Sequence, residues 1–146
     1  MARLSRPRGV TLLALFFAFG TTMCVLTLVL LIFPGSRLDV LWRLNPEARD
    51  AFAGIGVWAI LLMTCVGAAC AAAAVGLFRG ATWGRTVAIL VLACNLAGDV
   101  ANAVLRQDYR ALIGVPIGGL FIGYLVGKTA GSYFAAGKGR AGVPPA

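Results

Sequence analysis

The sequence predicts an all-α fold, a four-helix transmembrane bundle of antiparallel up-down topology with both termini cytoplasmic. Three observations predict it. The chain has 146 residues, 60% of them hydrophobic and 12% charged, against ~25% charged in a soluble domain. Its mean hydropathy is +0.91. Its charges are also gathered between long apolar runs. Residues 9–36 and 51–78 are charge-free over 28 residues each, residues 111–127 over 17, and the 20 residues 86–105 carry only Asp99. A helix needs ~20 apolar residues to cross ~30 Å of hydrocarbon.

The first span is expected at 10–33. Its apolar run far exceeds the roughly 7–15 residues of a signal-peptide core, and no clear Ala-x-Ala site follows, so it should stay as an anchor. No lipidation motif is present, since Ala2 follows the first Met and no CaaX box is found. In the loop that follows, Leu38, Leu41 and Trp42 fall on one helical face, away from Arg37, Asp39 and Arg43. Two readings stay open: a short helix on the membrane surface, or a plain connector anchored by Trp42. Asn45-Pro46-Glu47 has the order of a helix start: a cap, a proline in the first turn and an acid at the positive end of the dipole. The helix carrying the second span, 53–78, therefore has a start signal as early as Pro46.

Residues 79–85 make a tight hairpin to the third span, 86–105. Residues 106–110 make another to the fourth, 111–130. That last span is short over 111–126 and is expected to run past Lys128, whose stem can reach the interface. Residues 1–136 thus form one membrane domain, and 137–146 (GKGRAGVPPA) read as a disordered cytoplasmic tail.

Orientation follows from the cations. One side collects Arg3, Arg6, Arg8, Arg79, Arg85, Lys128, Lys138 and Arg140, with no acid. The other has Arg37, Arg43, Arg49, Arg106 and Arg110, offset by Asp39, Glu47, Asp50 and Asp108. Lys and Arg are favoured on the cytoplasmic side, which puts both termini there. Trp83 beside Arg85 and Tyr109 beside Arg110 fit aromatic belts on opposite faces.

Small residues recur every four positions. Gly119, Gly123, Gly127 and Gly131 do so in the fourth span, and Ala68, Ala72, Gly76 and Gly80 in the second. Such stripes let helix backbones approach closely, either inside one bundle or between two copies.

The third span carries a polar stripe. Asn95, Asp99, Asn102 and Arg106 are spaced 4, 3 and 4 and share one face. A carboxylate at mid-helix costs about 2.5–3.5 kcal/mol on insertion scales, so the stripe should face the protein. Thr27 and Pro116 fall near the depth of Asp99. Pro116 should kink the fourth helix, because it cannot donate to the Leu112 carbonyl. The expectation is a small polar pocket lined by Thr27, Asn95, Asp99, Asn102 and the backbone of residues 114–118. Asp99 either fixes helix register through hydrogen bonds, or binds a cation or carries a proton.

Several chemistries are excluded or disfavoured. The chain contains no His, which removes a Ser/His/Asp set and a His-ligated metal. There is no P-loop and no dinucleotide fingerprint. Cys24, Cys65, Cys70 and Cys94 all lie inside spans with no CxxC pair and read as small apolar filler. No cofactor is expected. The basic ends flank a membrane and do not form a nucleic-acid face; the expected partners are the lipid bilayer and other membrane helices, or a second copy.

The hairpin Leu77-Phe78-Arg79-Gly80-Ala81-Thr82-Trp83-Gly84-Arg85, followed by an apolar span, resembles a segment of many small uncharacterised bacterial four-span membrane proteins. That resemblance covers about the middle third of the chain and implies a bacterial inner-membrane setting, with no activity to transfer. The 11 Arg against two Lys agree with a high-GC gene. Small multidrug transporters have a similar span count but carry their essential acid in the first helix. The first span here has none, so that function does not carry over.

The sequence therefore leads to a non-enzymatic small membrane subunit or scaffold that packs through Gly/Ala helix faces. The alternative is a small transporter or channel component with a cation or proton site at Asp99.

Overall fold

The structure is a computed structural model that describes residues 7–105 and 112–140. All regular structure among the described residues is helical. Helix α1 spans Arg8–Ile32, a 3-10 helix spans Arg37–Leu44, and α2 spans Pro46–Ile55. Then come α3 (Val57–Phe78), α4 (Thr82–Leu105), α5 (Gly114–Val126) and α6 (Lys128–Arg140).

Helices α1, α3 and α4, of 25, 22 and 24 residues, are each long and apolar enough to cross a membrane. At ~1.5 Å per residue they measure about 33–38 Å. Their outward faces are apolar too: Leu12, Phe19 and Leu61 are 61%, 62% and 53% exposed. A helix that is apolar all round is suited to lipid. Four hydroxyls in α1 and α3 follow the same rule. Thr21, Thr22, Thr27 and Thr64 each donate to the carbonyl four residues earlier, at 2.8–3.1 Å. Each donor is thereby satisfied without water.

Helix α1 packs along α3, α3 on α4, and α4 on α5. The core gathers at the end that holds the α3–α4 turn, where Val10, Leu13, Ala14 and Phe17 meet Ala73, Leu77, Ala88, Leu92, Leu125 and Phe134. The turn itself is glycine-dependent. Gly80 has φ +65°. Its N–H donates to Leu77 O at 3.1 Å and that of Ala81 to Gly76 O at 2.9 Å, a Schellman pair that satisfies the last carbonyls of α3. The Tyr133 ring lies over Gly80, where a Cβ would sit 2.8 Å from its hydroxyl.

The helix start at Asn45 is as expected: its side chain accepts from the Ala48 N–H at 3.0 Å, with Pro46 in the first turn. The preceding segment is helical, and Trp42 packs on Phe52 of α2 at 6.1 Å between ring centroids. The second span differs from expectation, because the helix breaks at Gly56 (φ +62°, ψ −135°) and restarts at Val57. An L side chain rarely adopts that conformation, and a glycine there lets α2 leave the axis of α3.

The fourth span also differs. Helix α5 starts at Gly114, so Pro116 is its third residue. A first-turn N–H has no helical partner to lose, and Pro116 therefore starts a helix where a kink was expected. At the other end α5 stops at Val126. Gly127 is extended (φ −60°, ψ 159°), and its carbonyl accepts from Gly131 N–H at 3.0 Å to open α6. Residues 137–140, expected in the tail, belong to α6; residues 141–146 lie outside the described residues, as does the hairpin at 106–110.

Candidate functional site: the cleft at Asp99

Asp99 sits in the last third of α4, opposite the start of α5. Its carboxylate rests on Gly114, and a Cβ at Gly114 would overlap Asp99 Oδ2. The missing side chain is what lets the carboxylate reach the N-terminus of α5, the positive end of that helix dipole. One turn further on, Gly118 is buried and accommodates Leu96 in the same way. Glycines at 114 and 118 thus set how closely α5 lies against α4.

An open cleft of about 420 Å³ runs between α1, α4 and α5, with Asn95 and Asp99 in its wall. The rest of the lining is apolar: Leu92, Leu96, Ile117, and the rings of Phe16 and Phe121. Those two rings meet edge to face at 5.3 Å and join α1 to α5. Asp99 is half-buried and Asn95 exposed. Asp99 has no hydrogen bond or ion pair with any other described residue. The arrangement is a single carboxylate, a neighbouring carboxamide and two phenyl rings in a mostly apolar cleft. No group of three metal-ligating side chains occurs among the described residues, so the donor set does not suit a divalent metal.

The stripe is only partly gathered here. Asn102 is exposed and does not line the cleft, and Arg106 lies outside the described residues. Thr27 and Pro116 do not line it either; the Thr27 hydroxyl is occupied by the Met23 carbonyl. Depth alone placed them near Asp99, but the faces of α1 and α5 that carry them turn elsewhere. Phe16 and Phe121, on the faces that do turn inward, had no polar signature to mark them.

The small-residue stripes divide as well. Gly76 is buried against Gly84, so closely that a Cβ on either would overlap the other's backbone. Ala72 is half-buried and Ala68 exposed; the α3 glycine that meets α1 is Gly67, where a Cβ would sit 3.1 Å from Cys24 Cβ. Gly119 and Gly123 have nothing within 4 Å of a Cβ position. They face outward, because Gly114 and Gly118, one position round the helix, take the inner face. Gly127 serves the break between α5 and α6 described above.

Compared with protein-family models, with curated proteins and with solved structures, the chain matches none.

Proposed function

We propose that the chain is a four-span protein of the bacterial inner membrane with both termini cytoplasmic, and that it is the binding component of a small carrier or channel rather than an enzyme. The ligand is a cation on an apolar body, held in the cleft at Asp99. One observation carries the reading: an Asp99 carboxylate with no partner among the described residues, in the wall of an open apolar cleft. An intramembrane acid without a counter-charge is costly, and none of the described residues supplies one to Asp99; phenyl rings favour the flank of an organic cation. The alternation of basic and mixed-charge loops supports the topology.

The test is binding of tetraphenylphosphonium to the purified chain, with uptake into proteoliposomes. Asp99→Asn keeps the shape and an acceptor but removes the charge. Binding should weaken at least about tenfold, the effect of ~1.4 kcal/mol. Equal binding by wild type and Asp99→Asn would reject the site.

A second reading has its own observation. Gly119 and Gly123 offer an open, backbone-deep stripe on α5, which suits close docking of another membrane helix. In that case the chain is a scaffold or subunit, Gly123→Leu abolishes co-assembly, and Asp99→Asn leaves it intact.

A further inference from the structure

We infer that the cap formed by the 3-10 helix and α2 is a phospholipid site, in which Arg37, Arg43 and Arg49 hold the phosphate of an anionic phospholipid and an acyl chain follows the ends of α1 and α3. Two adjoining cavities make up the site. The polar one, about 530 Å³, is lined by the three arginines with Ser36, Asp39 and Asp50 among others. The three guanidinium groups form no ion pair among the described residues. Three cations face two carboxylates, so the cavity carries one positive charge in excess.

The second cavity, about 470 Å³, is mainly apolar, with Leu30, Leu31, Phe52, Val57 and Ile60 in its walls. Asp39, Trp42 and Arg49 line both cavities, so they meet along one edge. That edge lies where two membrane-length helices end, at the depth of a headgroup. A phosphate ion would use only the polar half, whereas a phospholipid uses both.

Ser36 and Asp39 narrow the headgroup. Asp39 Oδ2 accepts from the Gly35 N–H at 2.7 Å. Asp39 Oδ1 and Ser36 Oγ are shielded from solvent and have no hydrogen-bond partner. A buried acceptor without a donor is costly. Turning either side chain outward exposes its acceptor, and a glycerol headgroup then brings hydroxyl donors to this wall, while choline brings none. The site therefore favours phosphatidylglycerol.

Native mass spectrometry of the full chain in detergent tests this, with phosphatidylglycerol and phosphatidylcholine of identical acyl chains. One phosphatidylglycerol should be retained, at least about tenfold more tightly than phosphatidylcholine. Arg43→Gln and Arg49→Gln should each weaken it about fivefold, and Lys128→Gln, at the opposite end, should not. Ala53→Trp, filling the apolar cavity, should weaken it with all arginines in place. Equal retention of the two lipids by the wild type overturns the proposal, and that comparison needs no variant to fold. Displacement by free glycerol phosphate at concentrations equal to the lipid also overturns it, because the polar cavity would then act alone.

Discussion

The Arg85 guanidinium crosses from the first turn of α4 to the end of α5 and donates through Nε to the Leu125 carbonyl at 2.8 Å, with Nη2 3.5 Å from the Val126 carbonyl. Where a helix stops in apolar surroundings, its last carbonyls have no water to turn to. The Gly127 N–H is shared between Gly123 O at 2.9 Å and Tyr124 O at 3.2 Å, and Arg85 serves the two carbonyls after those, Leu125 and Val126. Its positive charge also sits at the negative end of the α5 dipole.

Removing that donor should loosen the α5–α6 junction. Arg85→Leu is expected to cost about 2 kcal/mol, the range for a hydrogen bond to a charged group, read by SDS-titrated unfolding in mixed micelles. Arg85→Lys should recover only part, because an ammonium lacks the planar fork that reaches two carbonyls. An unchanged midpoint for Arg85→Leu would mean the carbonyls find another donor.

Gly76 and Gly84 should tolerate no side chain. A methyl at either position meets backbone, which cannot swing aside. Gly84→Ala is expected to cost about 1–3 kcal/mol by forcing α3 and α4 apart, whereas Gly98→Ala, with nothing within 4 Å of its Cβ position, should be neutral or slightly stabilising. The same unfolding titration compares the two.

Gly114 should separate stability from binding. The atom its Cβ would meet is the end of the Asp99 side chain, which can rotate away. Gly114→Ala should therefore shift stability by under about 1 kcal/mol yet displace the carboxylate and weaken tetraphenylphosphonium binding as Asp99→Asn does. Retained binding would show that the carboxylate's seat on α5 is irrelevant to the ligand.

Glycine is also required at two turns. Gly80→Ala and Gly56→Ala both place an L residue at positive φ, at a cost of about 1–3 kcal/mol each. Gly80→Ala adds a contact with the Tyr133 ring, whereas the cost at Gly56 is backbone conformation alone, at ψ −135° outside the left-handed helical well. Thermal unfolding of both variants against wild type gives the order.

The long elements were legible because one physical signal, a charge-free run of membrane length, marks them. The Asn45 cap was legible because its chemistry is local. The breaks at Gly56 and Gly127 were not, since a glycine inside an apolar run reads equally as packing surface or as a hinge. The Arg85–Leu125 bond joins residues 40 apart, and nothing in the spacing announces it; Arg85 read only as a flanking charge. At the cleft, the wall that Asn95 and Asp99 share follows from their helical spacing. Thr27 and Pro116 do not line the cleft because depth constrains one coordinate and leaves rotation about each helix axis free; Asn102, placed by periodicity, is exposed outside the cleft.

The shortness of α5 bears on the surrounding lipid. Thirteen residues give about 20 Å of helix, against about 33 Å or more for α1, α3 and α4. With α5 as the proposed fourth span and on the protein's outer wall, the hydrocarbon beside it would have to thin by several ångströms or admit the Lys128 turn, at a fraction of a kcal/mol per ångström of mismatch. The molecule is then asymmetric in height around its circumference. It should settle in thinner bilayers, and a neighbour with an equally short helix would gain by standing on that flank.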